Sequence, residues 1–425
     1  MKHEQAWVAL AEALGPRSPI LKPLLESFGS PEAILQANEA AIRTVLPDIG
    51  QGTLAALTRK RTEEDAMRIV AWCHRNGVRI LTLDSADYPA SLREIDEPPA
   101  VLYCRGKMPV LDQRLTVGVV GSRKTDAYGQ RIAYKLSFEM AAAGAVIVSG
   151  MAAGLDAIAA AAAINAGSET IAVLGCGIDL VYPAHHTRLA AEIVEHGAII
   201  TEYAPGTKPN GWNFPIRNRI ISALSGAVLV VEAGENSGAL ITARYALLQG
   251  KSLFAVPGDI TSPRSVGTNR LLADGAIPAL DATEMLEHFR FLYRDAVRIE
   301  RVPEAMQYSA VTDEALRRFG LRLIGAEKEE KEEEPSRFRE RMRRKKKDKK
   351  DMTGDAPLMA ERPSPDTSPL SPRQKELYDM LCDEPFSVDL LTDRGIPVSE
   401  AASTLTVFEI YGLIRSLPGG LYAKR

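Results

Sequence analysis

The sequence predicts a doubly wound α/β protein with a mostly parallel sheet, preceded by a helical segment and followed by a small helical module. Three observations carry this reading. Short β-branched runs between residues 116 and 256 alternate with stretches of helix length. The runs are apolar on both alternating faces, as strands covered on both sides must be. The stretches between them are long enough for the crossovers that parallel strands require.

The first hundred residues read as small helices. Apolar positions recur at helical spacing around Leu10–Leu14, Ile20–Phe28, Glu32–Gln36 and Glu64–Cys73, punctuated by Gly15-Pro16, Ser30-Pro31 and Pro47. Ser30 before Pro31 has the form of an N-cap with proline at the first helical position. Residues 77–83 turn extended, and 87–99 read as a connector. The strand candidates follow at Thr116–Val120, Ala145–Ser149, Thr170–Leu174, Ala198–Glu202, Ala227–Glu232 and Ser252–Val256. Crossover helices are expected at Gln130–Ala143, Leu155–Ala166, Thr187–Glu195, Arg217–Ser225 and Ala239–Gln249.

After Phe289 the order decays. Residues 327–334 carry six Glu and two Lys, and residues 335–350 carry ten Lys/Arg against Glu340 and Asp348. Such blocks cannot bury themselves and predict a charged helix or a disordered linker. Five prolines between Pro357 and Pro372 extend that linker. The tail then shows three helical patterns, Arg373–Cys382, Ser387–Arg394 and Ser399–Tyr411, and a terminal hairpin over residues 412–422, which suggests a winged helix-turn-helix. The expected domains are therefore 1–77, 78–290, a linker over 291–370, and 371–425.

Composition narrows the function. The 425 residues are 45% hydrophobic and 25% charged with a formal net charge of −3, so any nucleic-acid site must be a local patch. No apolar stretch reaches the roughly 20 residues of a membrane span, and the start lacks a secretory pattern. A cytoplasmic protein is expected. Cys73, Cys104, Cys176 and Cys382 lie far apart and form no CxxC, so reduced thiols are expected rather than disulfides or zinc. His185 and His186 are adjacent, which is poor spacing for a metal site.

In an open α/β sheet, ligands gather beyond the carboxyl ends of the strands. The first such loop, Gly118-Val119-Val120-Gly121-Ser122-Arg123-Lys124, is neither GxGxxG nor GxxxxGK[ST]. Its glycines permit close backbone approach, Ser122 can donate, and Arg123 can fork two bonds onto a phosphate. The second loop, Ser149-Gly150-Met151-Ala152-Ala153-Gly154, opens an Ala-rich helix whose amides suit an anion, although Asp156 could cap that turn instead. The third, Gly175-Cys176-Gly177, leads to Val181-Tyr182-Pro183, and a buried, inert Cys176 is the expectation. The most informative stretch is Phe214-Pro215-Ile216-Arg217-Asn218-Arg219. Cations in a first helical turn oppose the dipole, so a bound anion would explain them, while Phe214 offers a stacking face. Pairing of these arginines with carboxylates such as Glu202 or Glu232 is the other reading. A last small-residue helix entry follows at Asn236-Ser237-Gly238 through Thr242. No carboxylate pair, Ser-His-Asp set or metal cluster stands out, so no catalytic residue, metal ligand or cofactor is assigned.

These loops, taken in order, resemble the DprA (Smf) family of bacterial DNA-processing proteins. The resemblance is carried by Gly121-Ser122-Arg123, Ser149-Gly150 with Gly154, Leu174-Gly175-Cys176-Gly177 with Tyr182-Pro183, and Phe214-Pro215 with Arg217-Asn218-Arg219. Ser237-Gly238 with Leu240-Ile241-Thr242-Ala243, Phe254-Ala255-Val256-Pro257-Gly258 and Thr268-Asn269-Arg270 add to it. It implies an extended Rossmann-like domain, an N-terminal helical domain of the SAM or helix-hairpin-helix kind, and a winged-helix tail.

The resemblance also implies a non-enzymatic homodimer that binds single-stranded DNA, protects incoming strands during natural transformation and loads the RecA recombinase. The DNA-binding set it implies is Gly121, Ser122, Arg123, Ser149, Gly150, Gly154, Phe214, Arg217, Asn218, Arg219, Ser237 and Thr242. Three positions depart from the family pattern: Ala153 and Asn236 where a cation is usual, and Ala160 where a His is usual. The rival reading is a nucleotide-binding or nucleotide-hydrolysing enzyme on the same fold.

Overall fold

The computed structural model describes residues 2–324, apart from 59 and 295, and parts of residues 372–424. The chain divides into two compact units, Met1–Pro335 and Ser336–Arg425.

The first unit opens with six helices: α1 His3–Leu14, α2 Leu21–Phe28, α3 Pro31–Gln36, α4 Glu39–Val45, α5 Gln51–Leu57 and α6 Lys60–Arg75. The Ser30 hydroxyl accepts from the Ala33 N–H at 3.2 Å with Pro31 in the first turn, so α3 begins where capping chemistry places it. Trp7, Leu10, Leu24, Ile34, Ile42 and Leu54 converge into the buried centre of this bundle.

Then come β1 Arg79–Thr82, the short α7 Ala90–Arg93 and β2 Val101–Gly106. Strand β2 was not expected from the sequence; its Val-Leu-Tyr-Cys run is short and follows two prolines. The doubly wound part is β3 Thr116–Val120, α8 Ala127–Ala142, β4 Val146–Ser149, α9 Leu155–Asn165, β5 Thr170–Val173, a 3₁₀ turn Ala184–His186, α10 Thr187–His196, β6 Gly197–Thr201, α11 Asn213–Leu224, β7 Ala227–Val230, α12 Gly238–Leu248, β8 Ser252–Ala255, α13 Val266–Ala273, β9 Ile277–Pro278 and α14 Ala282–Glu287. All six expected strands are present, with ends that differ from the expected ones by at most two residues.

The strand order is β1-β2-β6-β5-β4-β3-β7-β8-β9, with β6 through β9 parallel and β1 and β2 antiparallel at one edge. Winding runs outward from β3 in both directions, so the crevice at the β3–β7 reversal and its neighbouring strand exits form the ligand-binding edge of this fold. Alternation along each strand divides the core. Val117, Val119 and Ile147 lie on the face covered by α8 and α9. Val120, Val146 and Val148 face α11 and α12. The alanine run of α9 is wholly buried, because small side chains let α8 and α9 approach closely.

The sequence predicts a linker from residue 291, but the chain is folded on as far as residue 324. After α14 the chain forms a 3₁₀ turn Ile299–Arg301, α15 Val302–Ala305 and α16 Asp313–Arg317. This extension is tied to the sheet-covering helices. Ser309 donates to the fully buried Glu139 carboxylate at 2.7 Å, Asn165 Nδ2 donates to the Ala315 carbonyl at 2.9 Å, and Gln130 bonds the backbone of both Arg322 and Ile324. Leu316 and Phe319 are fully buried. Burial of these few apolar residues outweighs the polar composition around them, which is why the order looked lost. The charged blocks of 327–350 and the Pro-rich stretch up to 371 lie outside the described residues.

In the second unit, α17 Pro372–Asp379 and α18 Asp389–Thr392 precede an antiparallel hairpin of β10 Ile414–Leu417 and β11 Leu421–Lys424. Leu377, Leu381, Phe386, Leu391, Leu405, Phe408 and Ile414 form its core. The Tyr378 ring meets Phe408 edge-on at 5.3 Å and carries the Lys424 ammonium at 4.9 Å.

Candidate functional site

Where the exits of β3, β4 and β5 meet the start of α11, a small cleft opens, walled by Arg123, Ala153, Gly175, Cys176, Tyr182 and Phe214 among others. It lies at the carboxyl ends of the strands, where the topology places ligands. Two glycines make it possible. Gly154 has φ +84°, and a Cβ there would stand 2.4 Å from the Ser122 carbonyl oxygen, so the loops after β3 and β4 can touch only at glycine. A Cβ on Gly150 would stand 2.5 Å from the Arg217 guanidinium.

Arg123 is exposed, and its guanidinium sits 5.0 Å from the Phe214 ring centroid. Tyr182, 38% exposed, lies 5.3 Å from the same ring at a 31° tilt. One cation and two aromatic faces therefore share the cleft, a combination that can hold a phosphate and stack a base. Tyr182 is the functional candidate that reading the residues one loop at a time passed over. Its signal was available, since Tyr182-Pro183 follows a Gly-bearing strand exit.

The other predicted residues occupy different places. Asp156 is buried and accepts from the Gly150 N–H at 3.0 Å, so the helix-start anion position of α9 is filled by the chain's own carboxylate. Burial raises the Asp156 pKa, while Arg217 and the Gly150 and Ala152 amides work to hold it down. Ser149 is buried and donates to the Asp156 carbonyl at 3.3 Å. Ser122 turns back to accept from the Lys124 N–H at 3.2 Å. Gly121 lies against Leu155.

Arg217 is 3% exposed. It donates to the Gly150 carbonyl at 2.9 Å, to the Val173 carbonyl and, through Nε, to Asn218 Oδ1 at 3.1 Å. Burial pulls its pKa down to about 10, so it stays charged at neutral pH beneath the cleft floor and clamps the β4 and β5 exits together. Arg219 is 2% exposed and grips both Glu202 oxygens at 2.7 Å, with Nε donating to the Glu97 carbonyl at 3.1 Å. This corrects its assignment as a phosphate ligand. The carboxylate-pairing alternative describes it, and the reason is that Arg219 points to the sheet's β6 side. Asn218 donates to the Gly238 carbonyl at 3.3 Å, Ser237 caps α12 by accepting from the Ala239 N–H at 3.3 Å, and Thr242 is buried within α12. These three hold the β7 exit against α11 and do not line the cleft.

The departures separate in the same way. Ala153 lines the cleft, Ala160 is buried in the middle of α9, and Asn236 is exposed in the loop after β7. Burial pushes the Cys176 thiol up to about 11, which removes it as a nucleophile at neutral pH.

Fold and cleft together define a class: an extended Rossmann-like α/β protein with an arginine- and aromatic-walled cleft at its strand exits, carrying a second, separately folded unit. Within that class the likeness is specific. Residues 79–290 match the family described as DNA recombination-mediator protein A, and residues 361–420 match the DprA winged helix domain. The DNA processing protein DprA of Bacillus subtilis is 40% identical over 220 residues, covering 52% of this chain and 74% of that protein. The structure of DNA processing protein A from Streptococcus pneumoniae superposes with a TM-score of 0.57 at 29% identity, over 68% of this chain and 98% of that one. A structure describing the single-stranded DNA binding mode of DNA processing protein A from Helicobacter pylori is 33% identical over 50% of this chain and 95% of that one, with a TM-score of 0.46. The chain belongs to the DprA (Smf) family of DNA-processing proteins.

Among the described residues, no helix is long and apolar enough to cross a membrane.

Proposed function

We propose that this protein binds single-stranded DNA in the cleft, as a cytoplasmic homodimer that protects incoming strands and loads the RecA recombinase without turning over a substrate. The observation that carries the reading is the exposed Arg123 guanidinium 5.0 Å from the Phe214 ring, with the partly exposed Tyr182 ring 5.3 Å from the same ring. A cation and a stacking face this close suit one nucleotide, the phosphate on Arg123 and the base against an aromatic ring. In a duplex the base faces are already stacked, so a site of this kind selects unpaired strands. Membership in a DNA-processing family supports the same reading. Support for a second copy comes from β9, which among the described residues pairs only with β8, and from Leu280 just after it, which is exposed.

The test is a titration of labelled single-stranded and duplex oligonucleotides across a salt series. The single strand binds more tightly, and Arg123→Ala weakens it by about tenfold and makes the salt slope shallower by about one unit. Equal affinity for duplex, or an Arg123→Ala slope equal to that of the native chain, overturns the cleft assignment. Sedimentation that finds a monomer overturns the homodimer, and unchanged RecA nucleation on coated strands overturns the loading role.

A further inference from the structure

Residues 299–324 lie beyond the stretch that matches the family's α/β domain, yet they are folded onto it, and their far end climbs to the strand-exit edge. The climb can be followed bond by bond. Asn165 at the last turn of α9 holds the Ala315 carbonyl, Gly320 rests on the first turn of α10, and Gln130 near the start of α8 holds Arg322 and Ile324. A Cβ on Gly320 would stand 3.7 Å from Arg188 Cδ and 3.8 Å from the His185 carbonyl, so the extension passes beside the exposed Arg188 at the start of α10.

The charges along this seam are unevenly matched. Glu192, the carboxylate one turn below Arg188, is bound by Arg318. Asp313 accepts from the Leu323 N–H at 3.2 Å and from Arg317 at 3.1 Å, and these bonds, with the nearby Arg317 and Arg322 charges, lower its pKa. Arg188 and Arg322 are exposed, and among the described residues neither has a carboxylate within ion-pair distance. Arg188 also sits in the first turn of α10, where a cation works against the helix dipole unless an anion joins it. The strip begins at the cleft: Tyr182 and Pro183 wall it, the next three residues are the 3₁₀ turn, and the His186 ring N–H donates to the Met151 carbonyl at 3.0 Å in the loop that carries Ala153.

We propose that Arg188 and Arg322 form a second phosphate-binding subsite, which carries a single strand out of the cleft over the 3₁₀ turn and onto the extension. The chemistry recognised is the phosphodiester backbone, independent of base sequence. This rests on the single-strand reading of the cleft, but the two fail differently. A strand of ~4 nucleotides engages the cleft but is too short to reach both subsites, whereas one of ~16 nucleotides reaches both, spans within the range of single-strand binding folds.

The test compares Arg188→Ala/Arg322→Ala with the native chain on both lengths across a salt series. Both side chains are exposed, so the melting temperature is unchanged. The expected result is about tenfold weaker binding of the long strand, a salt slope shallower by about two units, and no change for the short strand. Arg188→Lys/Arg322→Lys restores most of the long-strand affinity, since a backbone phosphate needs a cation rather than a fork. Unchanged long-strand affinity and slope overturn the subsite, as does an equal loss on both lengths. Arg123→Ala separates the two readings: it weakens both lengths if the cleft holds DNA and neither if it does not.

Discussion

Arg217 and Arg219 stand about 200° apart around the axis of α11, because two residues advance a helix by twice 100°. One side chain therefore runs under the cleft to the exits of β4 and β5, and the other runs to Glu202 beyond β6. Both are buried, and each has carbonyl or carboxylate partners that satisfy its fork. Arg219→Ala leaves the Glu202 carboxylate buried without its partner, so a stability loss of ~3–5 kcal/mol is expected in denaturant unfolding. The folded fraction should bind oligonucleotides as the native chain does; a selective loss of binding at native stability would return Arg219 to the site. Ala153 is the residue where a small change should help. It lines the cleft that holds Arg123. Ala153→Lys is expected to raise single-strand affinity by ~1 kcal/mol at low salt, with a gain that fades as salt rises, because an exposed charge contact is screened. No gain at low salt in a folded variant would mean that residue 153 does not face the strand.

At the scale of elements, the extension 299–324 behaves as part of the α/β layer. Glu139 is wholly buried and held by Lys135 at 2.8 Å and Ser309 at 2.7 Å, and that second bond comes only from the extension. Ser309→Ala should cost about 1–3 kcal/mol, the price of an under-satisfied buried carboxylate. A chain ending at residue 324 should melt like the native first unit. One ending at residue 290 should melt lower by roughly 5 °C or more, having lost the packing of Val302, Leu316 and Phe319 as well. Equal melting of the two truncations would show that the extension is only loosely laid down. The extension's helices were hidden in the sequence because they are one-turn segments; α15 spans four residues and α16 five, too short for a period to show. Strand β9, two residues long, escaped for the same reason.

At the scale of the whole molecule, the chain is two units with separate cores. Removal of residues 336–425 is expected to leave the melting temperature of the first unit unchanged, and calorimetry should resolve two transitions in the full chain. A single cooperative transition that shifts on truncation would show that the units are energetically coupled. Limited proteolysis should leave a core that includes residue 324, since the backbone up to Ile324 is bonded to Gln130.

The sequence by itself determined the alternating β–α order, the six strands, the Gly-rich exits and the family, because these are local: a period of two, a period of 3.6 and a residue type each leave a mark within a dozen positions. Tertiary structure decided which polar residues face a ligand. Arg123, Arg217 and Arg219 look alike in the sequence, and only the positions of the Gly150 and Val173 carbonyls, Glu202 and Phe214, brought in from elsewhere in the chain by the fold, separate an exposed cation from two buried, occupied ones. A buried charge must find its partner wherever the fold supplies one, and that address is not written beside it.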